Sequence, residues 1–154
     1  MKLSLLLLVA LATTLPAIAK EPTTAPGPKA DLLVKTREMW DGTPLPAYPT
    51  KPAEINIVKF TIPAKSELPW HKHPSINAGY VTKGHLTVRT EEGKELKLKA
   101  GDTLVELVDK WHTGRNEGDE DVEIIVFYAS TPGTPLAIRR DEAASPTPTP
   151  KPND

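Results

Sequence analysis

The chain has 154 residues, 19 of them basic and 20 acidic, and its formal net charge of −1 indicates no basic surface for nucleic acid or an anionic membrane. This length has room for one domain. There is no cysteine, which excludes disulfides and thiolate metal ligands.

Residues 1–19 have the pattern of a secretory signal peptide. Lys2 precedes an apolar run over residues 3–12, and Ala17-Ile18-Ala19 supplies small residues for cleavage after Ala19. The run is short for a membrane span, although a retained anchor is an alternative. We therefore expect a periplasmic or secreted protein without membrane contact after cleavage.

Proline-rich segments flank the expected folded region. Residues 20–30 are predicted to be a linker and residues 141–154 a disordered tail rich in proline and threonine, because neither has large apolar side chains to bury. The folded domain is then expected over residues 31–140.

Between these ends, short apolar segments alternate with turn residues, which is typical of an all-β sandwich or barrel. The predicted strands, in chain order, are residues 32–36, 55–62, 78–81, 86–90, 96–99, 103–107, 114–116 and 122–128. This number of strands favours a double-sheet jelly roll. Residues 55–62 carry apolar side chains on both parities, so that strand is either buried on both faces or contains a bulge.

Three of the four histidines have the spacing of a metal site. His71 and His73 are two residues apart on a segment expected to be extended, so their imidazoles point to the same side, and His112 is expected to be the third ligand. Neutral imidazoles suit Zn, Cu, Fe and Ni, and the expected cofactor is a divalent ion of Fe, Zn, Cu, Mn or Ni. His85 opens a strand in a polar register and is expected to be exposed.

The segments around these histidines resemble the two motifs of small bacterial single-domain cupins. Residues 69–84, PWHKHPSINAGYVTKG, resemble the first motif, and residues 101–116, GDTLVELVDKWHTGRN, resemble the second. Lys65 and Asp109 stand where the motifs usually have glycine, and Leu107 stands where the second usually has proline. The resemblance implies a single-domain RmlC-like jelly-roll barrel, or double-stranded β-helix, that holds its metal inside.

Asn77 stands where the first motif usually has a glutamate ligand. It shares parity with His71 and His73, which makes it a candidate fourth ligand, but a carboxamide is a weaker donor than a carboxylate. The resemblance therefore implies a three-histidine centre, similar to the iron sites of cysteine- and diketone-type dioxygenases in the cupin superfamily.

Three further residues are candidates beside this centre. Glu106 is a candidate general base or outer-sphere carboxylate if its side chain points inward, and an outward, solvated glutamate is the alternative. Trp70 and Tyr80 flank the candidate ligands and are predicted to line a substrate pocket, with a place in the core as the alternative.

These features predict an exported, metal-binding cupin with oxidoreductase, dioxygenase-like chemistry on a small organic molecule. Two alternatives remain open: a non-catalytic small-ligand or metal-binding cupin of the cell envelope, and a metal-dependent isomerase or lyase acting on a sugar acid. A small molecule is the expected partner, nucleic acid is not, and a homodimer is a further expectation.

Overall fold

The computed structural model describes residues 27–143, of which residues 32–143 belong to one compact unit. The predicted signal peptide lies outside the described residues, as do residues 144–154 of the predicted tail. The strands within the described part of the chain are β1 Glu54–Ile62, β2 Ser66–Glu67, β3 His71–Lys72, β4 Ile76–Lys83, β5 His85–Thr90, β6 Glu95–Lys99, β7 Thr103–Val105, β8 His112–Asn116, β9 Val122–Ser130 and β10 Ile138–Arg139. A short helix, α1, follows at Arg140–Ala143. No helix within residues 27–143 is long and apolar enough to span a membrane.

The strands form two antiparallel sheets, as the predicted jelly roll requires. One sheet has the order β1-β9-β4-β7, and the other has the order β10-β3-β8-β5-β6, with β2 beside β8. Sequence neighbours such as β4 and β5 therefore lie in different sheets, so the chain crosses between the two layers. The all-β prediction is confirmed.

The alternation of apolar residues along β9 shows which face each sheet buries. Val122, Ile124 and Val126 are 4% exposed or less, whereas Ile125 and Phe127, at alternate positions, are 39% and 44% exposed. Successive side chains on a strand point to opposite faces. The buried set therefore joins residues from the opposite sheet, including Leu86, Val88 and Leu98, in one apolar core.

The open question about residues 55–62 is resolved by the pairing of β1. This strand pairs with β9 without a break from Glu54 to Ile62, so it contains no bulge. Ile62 is buried, whereas Ile55 and Ile57 are 52% and 67% exposed. The two parities therefore point to opposite faces, and the outer face of this strand is apolar but open.

Several boundaries differ from the prediction. Residues 32–36 form no strand, and Leu32 and Leu33 are 78% and 62% exposed because no neighbouring strand pairs with them. The strand predicted over residues 103–107 ends at Val105. Helix α1 extends regular structure three residues beyond the boundary predicted at residue 140.

Two non-glycine residues have a backbone conformation that glycine adopts more easily. Lys65 and Asp109 both have φ of 56°, in the left-handed region. These are two positions where the cupin motifs usually have glycine and this chain has another residue. The turn geometry is therefore retained, and each non-glycine residue carries a conformational cost of about 1 kcal/mol.

Candidate metal centre

The three predicted histidine ligands come from the middle of the second sheet. His71 on β3 and His112 on β8 are directly paired across the ladder, and His73 follows β3, where it bridges to Val108. Directly opposed residues in an antiparallel pair present their side chains on the same face. His73 and His112 are 4% and 1% exposed, so that face points into the barrel.

The three imidazoles converge on one point. Their ring centroids are 4.5 Å apart for His71 and His112, and 5.0 Å apart for each pair that includes His73. One ring nitrogen from each histidine lies within 4.8 Å of the others, which is close enough for one ion to bind all three. His85 on β5 is exposed and takes no part in this group.

A hydrogen bond to a backbone carbonyl fixes the tautomer of each ring. Nδ1 of His71 lies 2.8 Å from the Pro69 oxygen, and Nδ1 of His112 lies 2.8 Å from the Lys110 oxygen. Nδ1 of His73 lies 2.7 Å from the Leu136 oxygen. A carbonyl oxygen can only accept, so each Nδ1 carries the proton and each Nε2 keeps a lone pair for a metal.

Burial keeps two of these rings neutral. It lowers the pKa of His73 and of His112 to about 4, because a charged imidazolium would lose its solvation inside the barrel. Only the neutral ring can give its lone pair to a metal ion. The two buried histidines are therefore ready to bind metal over most of the physiological pH range.

Glu106 points inward, which decides between the two orientations considered from the sequence. It is 8% exposed, and its Oε2 lies 3.6 Å from Nε2 of His112. Burial raises the pKa of its carboxyl group, and the nearby His73 and His71 oppose that rise. It lies outside the group whose ligand atoms are all within 4.8 Å of one another.

Asn77 also faces the interior, as its parity predicted. It is 1% exposed, and its Nδ2 donates to the Ser75 carbonyl oxygen at 3.1 Å, while its Oδ1 has no hydrogen-bond partner. Its role as a metal ligand stays a prediction.

A cavity of about 320 Å³ opens in front of the three histidines. Its lining is mainly apolar and draws on both sheets and on the segment before β10, with the members Phe60, Thr61, Ile62, Leu68, Pro69, His71, His73, Leu86, Val88, Glu106, His112, Gly114, Ile124, Val126, Tyr128, Leu136, Ala137 and Arg139. A space of this size suits a small organic molecule.

The prediction that Trp70 and Tyr80 line this pocket is wrong, since neither belongs to the lining. Tyr80 is 38% exposed on the outer face of β4, between the buried Gly79 and Val81. Trp70 stacks against the guanidinium groups of Arg89 and Arg140 instead. Neighbours of an inward-facing residue on a strand point outward, so nearness in sequence was misleading.

Two residues that contact His73 were not among the candidate site residues chosen from the sequence. Tyr128 is 2% exposed and meets the His73 ring edge-on at a centroid distance of 5.7 Å. Leu136 supplies the carbonyl that orients His73 from 63 positions further along the chain. Tyr128 shares the parity of the apolar residues Val122, Ile124 and Val126 on predicted strand 122–128, which indicates an inward side chain. No local pattern indicates a role for Leu136.

The comparisons with known proteins agree with this geometry. Residues 58–128, which include all three histidines, match the family model described as a cupin domain. These residues form a cupin domain. No curated protein matches the chain.

Among solved structures, the chain is similar to an oxalate decarboxylase from Lactobacillus farciminis, with 24% identity and a TM-score of 0.51 over 60% of this chain and 29% of that one. It is similar to the polyketide cyclase RemF from Streptomyces resistomycificus, with 14% identity and a TM-score of 0.48 over 56% of this chain and 60% of that one. An RmlC-like cupin from Shewanella frigidimarina gives 21% identity and a TM-score of 0.45 over 52% of this chain and 69% of that one. At 24% identity, the similarity to the oxalate decarboxylase extends to the fold and not to an activity, and this chain spans less than one third of that protein.

Proposed function

We propose that this cupin domain binds one divalent metal ion through His71, His73 and His112 and performs oxygen-dependent, dioxygenase-like chemistry on a small organic molecule. The observation that carries the proposal is the shared orientation of the three rings. Each Nδ1 is committed to a backbone carbonyl, so the three Nε2 lone pairs remain for one ion.

The donor set fits a transition metal. Three neutral imidazoles suit divalent Fe, Zn, Cu or Ni, and geometry and supply decide among them more than affinity does. When bound, such an ion supplies Lewis acidity, and a redox-active ion also supplies an electron for reaction with oxygen.

The cavity favours an apolar substrate over a sugar acid. Arg139 lies in the lining and could pair with the carboxylate of a sugar acid. However, Leu68, Leu86 and Val126 on the surrounding walls offer the sugar hydroxyl groups no hydrogen bonds. Burying unpaired hydroxyl groups is costly, so the cavity disfavours a sugar acid. This supports an oxidoreductase acting on an apolar molecule over the isomerase or lyase alternative.

The metal half of the proposal is tested by titrating chelator-treated protein with Fe(II), Mn(II), Zn(II), Cu(II) and Ni(II). We expect one ion per chain for the wild-type protein and loss of that ion in His112→Ala. The control His85→Ala, which changes an exposed histidine away from the cluster, should keep the wild-type stoichiometry.

The catalytic half is tested by oxygen uptake with the iron-loaded protein and a panel of small apolar acids, thiols and diketones. Uptake that requires both the substrate and His112 supports the oxidoreductase. Metal binding without oxygen uptake for any compound favours the non-catalytic alternative, and turnover of a sugar acid without oxygen favours the isomerase or lyase.

Export belongs to the same proposal and is supported by the sequence of residues 1–19. N-terminal sequencing of the mature protein from a periplasmic or culture fraction should begin at Lys20. An N-terminus at Met1 in that fraction would contradict the cleavage site.

A further inference from the structure

Glu106, the residue after β7, lies opposite Asn77 on β4. Strands β4 and β7 pair through Ala78 with Val105 and through Gly79 with Leu104. One residue further, the backbone N–H of Glu106 donates to the carbonyl oxygen of Asn77 at 3.0 Å. Opposed residues of an antiparallel pair project to the same face, and both of these side chains are buried.

Two buried electron-pair donors face each other at this point. Oε2 of Glu106 and Nε2 of His112 are 3.6 Å apart, and neither has a hydrogen-bond partner. The proton of His112 is held on Nδ1 by the Lys110 carbonyl, so no hydrogen lies between Nε2 and a Glu106 carboxylate. A buried carboxylate oxygen without a partner is costly, and a cation between the two atoms would satisfy both.

The spacing fits two ligands of one ion. Ligands bound at right angles, with bonds of about 2.1 Å, stand about 3 Å apart. The observed 3.6 Å is close to this spacing for His112. Glu106 lies outside the group whose atoms are all within 4.8 Å of one another, so its flexible side chain must also move toward the other histidines.

We propose that Glu106 supplies the carboxylate ligand of this centre, in place of the glutamate that cupins usually carry at the position of Asn77. In this chain the carboxylate is carried by the residue opposite the usual position, and Asn77 places a carboxamide at the usual position. This inference rests on the proposed three-histidine site. A carboxylate lowers the net charge of a divalent centre to +1 and favours oxygen-preferring ions such as Mn(II).

The test exchanges the two side chains and measures binding of Mn(II) and Zn(II) to chelator-treated protein by calorimetry. The Glu106→Gln variant should bind Mn(II) at least tenfold more weakly than the wild-type protein does. Its affinity for Zn(II) should fall by a smaller factor. The double variant Asn77→Glu with Glu106→Gln should regain most of the Mn(II) affinity, because the carboxylate returns to the same face from the opposed position. Glu123→Gln, which removes an outer-face carboxylate paired with Lys59, is the matched control and should bind as the wild-type protein does.

The outcomes separate the two proposals. If Glu106→Gln keeps wild-type Mn(II) affinity while His112→Ala loses it, the carboxylate ligand is wrong and the three-histidine site stands. If His112→Ala also binds normally, the metal site itself is wrong. A double variant that retains the fold by circular dichroism but fails to regain affinity would overturn the equivalence of the two positions.

Discussion

Nδ1 of His73 donates to the carbonyl oxygen of Leu136 at 2.7 Å, so the segment before β10 orients a candidate ligand that lies 63 residues earlier in the chain. Strand β10 continues this contact, since Arg139 pairs with His71. The end of the domain therefore holds two of the three candidate ligands in position.

Removing the chain from residue 132 onward should accordingly weaken binding of Zn(II) by tenfold or more, because the loss of partners that orient ligands typically costs this much. Removing only residues 144–154 is the matched control and should leave binding unchanged. Competition with a fluorescent chelator measures both, with circular dichroism to check the fold. Equal affinity of the two truncated proteins would contradict an orienting role for Leu136.

The buried asparagine of the second motif should be important for stability. Nδ2 of Asn116 lies 3.0 Å from each of the Ile62 and Pro63 carbonyl oxygens and 2.8 Å from the Glu120 oxygen, and its Oδ1 accepts from the Gly118 N–H at 3.0 Å. Asn116→Ala should lower the free energy of unfolding by about 2–3 kcal/mol, since buried backbone groups lose their partners.

Urea denaturation measures this change, with Asn56→Ala as the control. Asn56 lies near the start of β1, and its side chain donates to the exposed Glu54 and, at 3.4 Å, to Ser130. The Ser130 hydroxyl also bonds to the Glu54 carbonyl, so replacing Asn56 should cost about 0.5 kcal/mol or less. Similar losses for the two variants would show that the buried amide has no special role.

Relief of the left-handed turn at Lys65 should stabilise the domain. Its φ is 56°, which glycine adopts without strain. The ion pair between Lys65 and Asp119 is exposed and contributes little. Lys65→Gly should therefore raise the free energy of unfolding by about 0.5–1 kcal/mol, whereas Lys65→Ala, which loses the ion pair and keeps the strain, should not. Equal stability of the two variants in urea would contradict this account.

Arg140 should hold the end of the domain against the second sheet. Its guanidinium group lies 5.1 Å from the ring centroid of Trp70 and 4.8 Å from that of Trp111, and it pairs with Glu91. Arg140→Ala should reduce stability by about 1 kcal/mol and shift tryptophan emission to the red. Arg140→Lys should restore part of the stability, because lysine keeps the charge but lacks the planar group. Arg37→Ala, at an exposed position, should change neither measurement.

The metal-free protein should lose stability as the pH falls from about 6.5 to about 4. The pKa of His73 and of His112 is about 4 in the folded protein, against an ordinary value of 6.5. Within that window the unfolded chain binds protons that the folded protein does not, so acid favours unfolding. Glu106 acts in the opposite sense, because its raised pKa lets the folded protein hold a proton that the unfolded chain releases.

Urea denaturation with a chelator, at pH values from 7 to 4, measures this dependence. His112→Gln should show a shallower loss than the wild-type protein, since one of the two groups is gone. His85→Gln is the control and should follow the wild-type curve. A His112→Gln variant with the same pH dependence of stability as the wild-type protein would contradict a neutral, buried His112.

The sequence by itself determined the all-β fold, most of the strands and the convergence of three histidines. Alternation along strands such as β5 and β9 is a local signal, and the i, i+2 spacing of His71 and His73 places both on one face of an extended chain. The cupin motifs then supplied His112. Strands β2, β3 and β10 were not predicted because two residues are too few to show alternation.

Only the tertiary structure decided which charged and aromatic side chains enter the site. Apolar residues flank Glu106 on both parities, and its strand ends at Val105, so periodicity could not orient its side chain. Trp70 and Tyr80 were predicted to line the pocket because they lie next to candidate ligands in sequence. Aromatic side chains also occur on the outer face of a sheet, so their residue type did not show which face they occupy. The opposition of Glu106 and Asn77, and the reach of Leu136 to His73, depend on which strands pair and in which register, and that is set by packing between distant segments and by no local pattern.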